Sequence, residues 1–278
     1  MSHTAARRPA SRRRDSVRPV ASDDRRMTGS YVHGVVPRST PWPGSEVTTV
    51  EYGQVAALVR SAAGPTSTRR RRDLVVAHSD LLDRTAATTP VVPLRFGTVV
   101  DSPESVAQHL LAPYHDAFVA ALRALTGRAQ FTVRARYDAD AIVTEVIGAD
   151  PAARQLHQRL HGADAGAAHA GRVALGEKVA RGIRARREVD AATLAESLRP
   201  YAEMTSLQVS TSVESYRIAD AAFIVALDRQ REFEHALEEL ARRWRDRARL
   251  RLLGPMAAYH FADHLVSARP EGTRPWGC

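Results

Sequence analysis

Ala221-Ala222-Phe223-Ile224-Val225-Ala226-Leu227 decides how this chain folds. Seven consecutive apolar residues, bounded by polar ones, suit a central strand buried on both faces. Just upstream, Met204 to Val213 alternates, with Leu207, Val209 and Val213 on one side and Ser206, Gln208, Ser210 and Ser212 on the other. Downstream, Asp228 opens a helix that carries Phe233, Ala236, Leu237, Leu240 and Trp244 on one face. Arg247 to Leu253 then alternates again, Arg247, Arg249 and Arg251 against Ala248, Leu250 and Leu252. Further back, Gln130 to Tyr137 places Phe131, Val133, Ala135 and Tyr137 at strand spacing. A long helical region follows to Arg199, broken near Gly148-Ala149-Asp150-Pro151 and between Gly162 and Gly171. The order is β-α-β-β-α-β, a split βαβ or ferredoxin-like unit with helices on one face of an antiparallel sheet. The helices between Asp138 and Gly171 are an insertion on that plan.

The region before Gly127 is a separate α+β unit. Tyr31-Val32-His33-Gly34-Val35-Val36 reads as a first strand closed by Pro37, and the prolines and glycine between Arg38 and Gly44 make a loop. Val47–Tyr52 and Val55–Arg60 read as strands around Gly53, although Val55-Ala56-Ala57-Leu58-Val59 also suits a helix, and Gly64-Pro65-Thr66-Ser67 reads as a turn. A helix runs from Arg69 to Ala87, and Val91 to Phe96 forms another strand. Asp101-Ser102-Pro103-Glu104 has the cap, proline and acid of a helix start. That helix bears Leu111, Tyr114, Phe118, Leu122 and Leu125 in one stripe, kinks at Pro113 and ends at Gly127. The expected organisation is a disordered Arg-rich tail (1–28), an N-terminal α+β domain (29–127), a C-terminal ferredoxin-like domain with extra helices (128–266) and a flexible tail (267–278).

The chain has 278 residues, 44% hydrophobic and 26% charged, which is ordinary for a globular protein. No apolar run reaches membrane-helix length, and the N-terminal arginines precede no apolar segment. The only cysteine, Cys278, rules out an intrachain disulfide, and a reducing cytoplasm is the expected compartment. Of the net charge of +9, residues 1–27 contribute +5, from eight arginines and three aspartates. The remaining +4 is spread over 251 residues and does not by itself mark a nucleic-acid footprint.

The residues offer little catalytic chemistry. His157 and His161 have helical spacing, with His169 beyond, but no acid or cysteine completes a metal set. They read as exposed helix histidines, and His260, Asp263 and His264 as a similarly ordinary cluster. No Gly-x-Ser-x-Gly elbow and no phosphate-binding loop occurs. No catalytic residue, cofactor or metal is expected. An RNA-binding ferredoxin-like protein with a basic N-terminal arm is the alternative. It would need aromatics on the open sheet face, and Met204–Val213 carries none, although Arg247, Arg249 and Arg251 stand ready for phosphates.

Thr89-Pro90-Val91-Val92-Pro93-Leu94-Arg95-Phe96-Gly97-Thr98-Val99 is the most distinctive segment: a short strand, an Arg-Phe-Gly turn and a capped helix. Read alone, it is a structural joint. Phe96 would pack into the first core, Gly97 would take a backbone angle other residues avoid, and Arg95 would pair with Asp101 or Glu104. Together with the Tyr31–Val36 opening, His78, and Gly254-Pro255 followed by Tyr259 and Phe261, it resembles the GvpL/GvpF family of gas vesicle proteins. The likeness spans Tyr31 to Leu265 and departs at Met256-Ala257-Ala258, where the family usually has Trp and Pro. It implies two α+β domains, the second ferredoxin-like, and an accessory or minor structural role in gas vesicle formation. The implied partners are the hydrophobic shell subunit and other gas vesicle accessory proteins, in the cytoplasm and at the gas vesicle, with no membrane and no nucleic acid. The motif residues His78, Pro93, Arg95, Phe96, Gly97, Gly254, Pro255, Tyr259 and Phe261 are expected to be structural. Leu207, Gln208 and Val209 are the expected partner-binding edge.

Overall fold

A computed structural model describes residues 29–42, 46–62, 68–161, 169–212 and 215–267. The expected tail before Gly29, almost all of the one after Val266, Gly44, the Gly64–Ser67 turn, most of the Gly162–Gly171 break and Val213 lie outside these residues.

Two antiparallel sheets organise the chain. The first comprises β1 (Gly29–Pro37), β2 (Thr48–Tyr52), β3 (Val55–Ala62), β4 (Val92–Pro93) and β5 (Val99–Val100). Its order is β2-β3-β1-β4, with β5 also on β1. The helix α1 (Thr68–Ala86) covers one face, burying Leu82 with Val36, Ala56, Leu58 and Val91. The helix α3 (His115–Leu125) covers the other, burying Phe118 and Leu122 with Val32, Val35, Val55 and Val59. β1 is therefore buried along nearly its whole length.

The first-half expectations need two corrections. Val91–Phe96 is not a continuous strand. Prolines at 90 and 93 supply no ladder N–H, so only Val92–Pro93 pairs regularly with β1. Pairing resumes at Val99–Val100 with a register three residues longer, so Arg95-Phe96-Gly97 is looped out of an otherwise continuous edge. The helix after Asp101 is also interrupted. It begins as α2 (Pro103–Ser105), where the Ser102 side chain accepts from the Ser105 N–H. It widens into a π segment, Val106–Leu111, and breaks before α3 at Pro113, a residue that cannot continue the hydrogen-bond ladder.

The second sheet comprises β6 (Arg128–Tyr137), β7 (Met204–Val209), β8 (Arg217–Ala226) and β9 (Ala248–Met256), in the order β7-β8-β6-β9. Between β6 and β7 come α4 (Ala139–Ala149), α5 (Pro151–Leu160) and α6 (His169–Leu198), and α7 (Gln230–Trp244) joins β8 to β9. Asp138 and Asp150 cap α4 and α5, each through its side-chain oxygen. Phe131, Val133, Ala221, Phe223 and Val225 bury against α6 and α7, where Leu194, Leu198, Phe233, Leu237 and Leu240 meet them. The opposite face does not open to solvent along its whole length. Ala222 and Ile224 join the core that holds Phe118, Leu122 and the first sheet. The apolar run in β8 is thus buried by helices on one side and by the other half of the chain on the other.

Buried charge ties the second unit together. Asp190 on α6 accepts both Arg247 guanidinium nitrogens, at 2.6 and 2.7 Å, and the Tyr137 hydroxyl at 2.7 Å. Arg247, expected in the exposed arginine row, instead precedes β9 and turns to the helix side. Arg187, also on α6, is buried and donates to the carbonyls of Ser210 and Ser215, which pins the connection between β7 and β8.

Candidate functional site

The two motifs, about 160 residues apart in sequence, meet where the halves of the chain join. Within the loop after β4, the Arg95 carbonyl accepts from the Thr98 N–H at 3.1 Å and from its hydroxyl at 2.8 Å. Gly97 sits at φ +95°, the left-handed region a glycine enters without steric cost. Beneath this turn lies a hydrogen-bond chain with one consistent proton arrangement. The Leu94 carbonyl can only accept, so His78 Nε2 carries the proton and donates to it at 3.2 Å. His78 Nδ1 then accepts from the Tyr31 hydroxyl at 2.8 Å, and the Gly97 N–H points back at that hydroxyl oxygen at 3.5 Å. Burial pushes the His78 pKa down and the Tyr31 pKa up, so both stay neutral.

Phe96 is half-buried and lies edge-on to Tyr31 and His78 rather than deep in the first core. Arg95 pairs not with Asp101 or Glu104 but with Asp263, at 3.3 Å. The pair is exposed on both sides and worth at most about 1 kcal/mol. It nevertheless links the signature turn to the C-terminal segment.

That segment, residues 254–266, is a strap across the junction. Gly254 has φ +130°, and a Cβ there would sit 2.8 Å from the Gln130 carbonyl oxygen, so the strand can approach β6 only with glycine. The Gly254–Pro255 peptide is cis. Asp83 on α1 then accepts from the Ala257 N–H and from the Tyr259 hydroxyl, both at 3.0 Å. Burial and the Asp83 charge raise the Tyr259 pKa. Ala258 and Phe261 bury beside Leu94 in the shared core. At the far edge of the strap, Gln130 is fully buried, accepting from the His260 N–H at 2.9 Å and meeting His260 Nδ1 at 2.9 Å. Asp83 and Gln130 were not foreseen from sequence, because their partners lie 174 and 130 residues away.

His33 was also missed. It stacks on His78 with ring centroids 5.2 Å apart, is 2% exposed, and neither ring nitrogen has a hydrogen-bond partner among the described residues. Burial, then the neighbouring His78 and Arg60, push its pKa down to about 3. His157 on α5 and His161, just past its end, meet edge-on. Among the described residues no three His, Cys, Asp or Glu side chains converge as a metal site.

Leu207, Gln208 and Val209 are not part of the junction. They lie on β7, the terminal strand of the second sheet, with Leu207 36% and Val209 38% exposed. The RNA alternative loses its platform, since Phe131, Tyr137 and Phe223 all face the helices and part of the opposite sheet face is covered. No helix among the described residues is long and apolar enough to cross a membrane.

Comparison with known proteins gives the same outline. Residues 29–263 match the family model for the gas vesicle synthesis protein GvpL/GvpF. Gas vesicle protein F of a Streptomyces species is 28% identical over 84% of this chain and 99% of its own length. Gas vesicle protein F of Dolichospermum flosaquae is 25% identical over 69% of this chain and 78% of its own length. The crystal structure of GvpF from Anabaena sp. PCC7120 superposes with a TM-score of 0.68 at 22% identity, covering 85% of this chain and 98% of that one. GvpF from Microcystis aeruginosa superposes with a TM-score of 0.65 at 20% identity, covering 85% and 99%. With the family model spanning both motifs and the junction they build, the chain belongs to the GvpL/GvpF family of gas vesicle proteins.

Proposed function

We propose that this protein is an accessory or minor structural component of gas vesicle assembly. It holds the hydrophobic shell subunit, and contacts other gas vesicle proteins, while the shell is built. The β6–β9 unit with α6 and α7 is read as a ferredoxin-like domain over 128–266, packed on an N-terminal α+β domain over 29–127. The protein works without catalysis or cofactor, in the cytoplasm and at the vesicle.

One observation carries the contact: among the described residues β7 is an edge strand that pairs on one side only, with β8. The bond from the Ser210 N–H to the Ile218 carbonyl, with Val209 facing Ala219, sets the ladder phase. In that phase Gln208 bonds inward to β8, whereas the N–H groups of Leu207 and Val209 point outward. An extended apolar segment can add to this edge by β-augmentation, taking main-chain hydrogen bonds there and side-chain contacts with Leu207 and Val209. Co-expression of the full chain with a gas vesicle shell subunit tests the reading. Retention of the subunit on the affinity-purified protein is expected; a subunit that never co-purifies would overturn it.

A further inference from the structure

The outer face of the second sheet is divided. Toward one end, Gln130, Thr132, Ala222 and Ile224 are buried. Toward the other, the next rows are arginine. Arg134 pairs in register with Arg251, and Arg136 with Arg249 on one side and Arg217 on the other. Directly paired residues of antiparallel strands point to the same face. The ion pairs confirm it, since Arg217 and Arg134 both reach Asp220, at 3.1 and 3.9 Å. All five arginines are exposed. Arg136, Arg249 and Arg251 have no ion-pair partner among the described residues.

We propose that this arginine grid is a docking surface for a carboxylate-rich protein segment, such as the acidic face of a partner helix. Like charges placed directly opposite one another across strands destabilise a sheet. Lysine and glutamate in alternation would solvate the same face without that cost. Five arginines against one aspartate on adjacent strands instead form a concentrated positive plane. Strands lie about 4.8 Å apart and same-face residues about 7 Å apart, so the grid presents guanidinium groups at a spacing close to that of acids three or four apart on a helix. Arginine also binds carboxylates in bidentate fashion. Nucleic acid fits less well, because the aromatics of β6 and β8 face away and leave no stacking surface. The buried half of the face confines the partner to the arginine end.

Arginine-selective dicarbonyl labelling of the full chain, read residue by residue by mass spectrometry, tests the assignment with short poly-L-glutamate as the probe. Labelling of Arg136, Arg249 and Arg251 should fall at least about fivefold on addition of the probe, while Arg71 and Arg72 on α1 change less than about twofold. In the double variant Arg136→Gln/Arg249→Gln, protection of Arg251 should disappear and the melting temperature should not fall. Unprotected grid arginines, equal protection of Arg71 and Arg72, or stronger protection by an oligothymidylate of equal charge would each overturn the proposal. A double variant that melts below the parent would remove the repulsion argument and overturn it too.

Discussion

His33 makes the stability of this protein depend on pH in a direction and size that the fold fixes. The ring lies on β1, faces His78 from α1, Arg60 from β3 and Tyr31 from its own strand, and is 2% exposed. Its pKa falls to about 3, while in the unfolded chain it titrates near the ordinary 6.5. Below that ordinary value the unfolded chain takes up a proton that the folded protein refuses. Stability is therefore complete above about pH 6.5 and is lost progressively as the pH falls toward 3. From about pH 7.5 to about pH 5, this single group should remove about 2 kcal/mol. His33→Leu should abolish that part of the dependence and cost little near neutral pH, because the imidazole it replaces has no hydrogen bond to lose among the described residues. Urea unfolding followed by tryptophan fluorescence, on both proteins across this range, measures the difference directly. Parallel pH profiles for the two proteins would refute the reasoning.

Other perturbations probe the junction and the buried charges. Asp190→Ala removes the acceptor of the Tyr137 hydroxyl and leaves Arg247 only the longer pair to Glu145 at 3.9 Å, and should cost about 3 kcal/mol in urea unfolding. Tyr259→Phe removes the hydroxyl that reaches Asp83 and the Ser79 carbonyl and should cost about 1 kcal/mol, and Asp83→Ala more, since the Ala257 N–H also loses its acceptor. Gly254→Ala forces a side chain at φ +130° against the Gln130 carbonyl, and thermal melting should show a loss of about 1–3 kcal/mol.

The second half of the fold was legible because its signals are local. The alternation in β6, β7 and β9, the apolar run in β8 and the stripe on α7 each depend on residues within one element. What covers the outer face of β8 was not legible, because the covering residues, Phe118 and Leu122, lie a hundred positions earlier in the chain. The motif residues were recognisable, but their partners were not. Arg95 met Asp263 rather than the adjacent acids, and nothing near Arg247 in sequence pointed to Asp190. The strand expected through Val91–Phe96 rests on Val91, Val92, Leu94 and Phe96, and two of its neighbours in the ladder are prolines. Its prolines cost it all but one short rung, and that interruption is what frees the Arg-Phe-Gly loop to reach the strap. Near β7, the alternating pattern identified the strand, but only the ladder phase shows that the Gln208 N–H points to β8 and that the Leu207 and Val209 N–H groups point away from it.

That phase permits the most direct test of the account. Leu207→Pro deletes an outward N–H and leaves the inward ladder to β8 intact, whereas Leu207→Ala trims the side chain and keeps the N–H. Each is co-expressed with the shell subunit and affinity-purified, with circular dichroism to establish folding. The folded proline variant is expected to lose the subunit and the alanine variant to retain most of it. Full retention by a folded Leu207→Pro protein would contradict capture at the β7 edge.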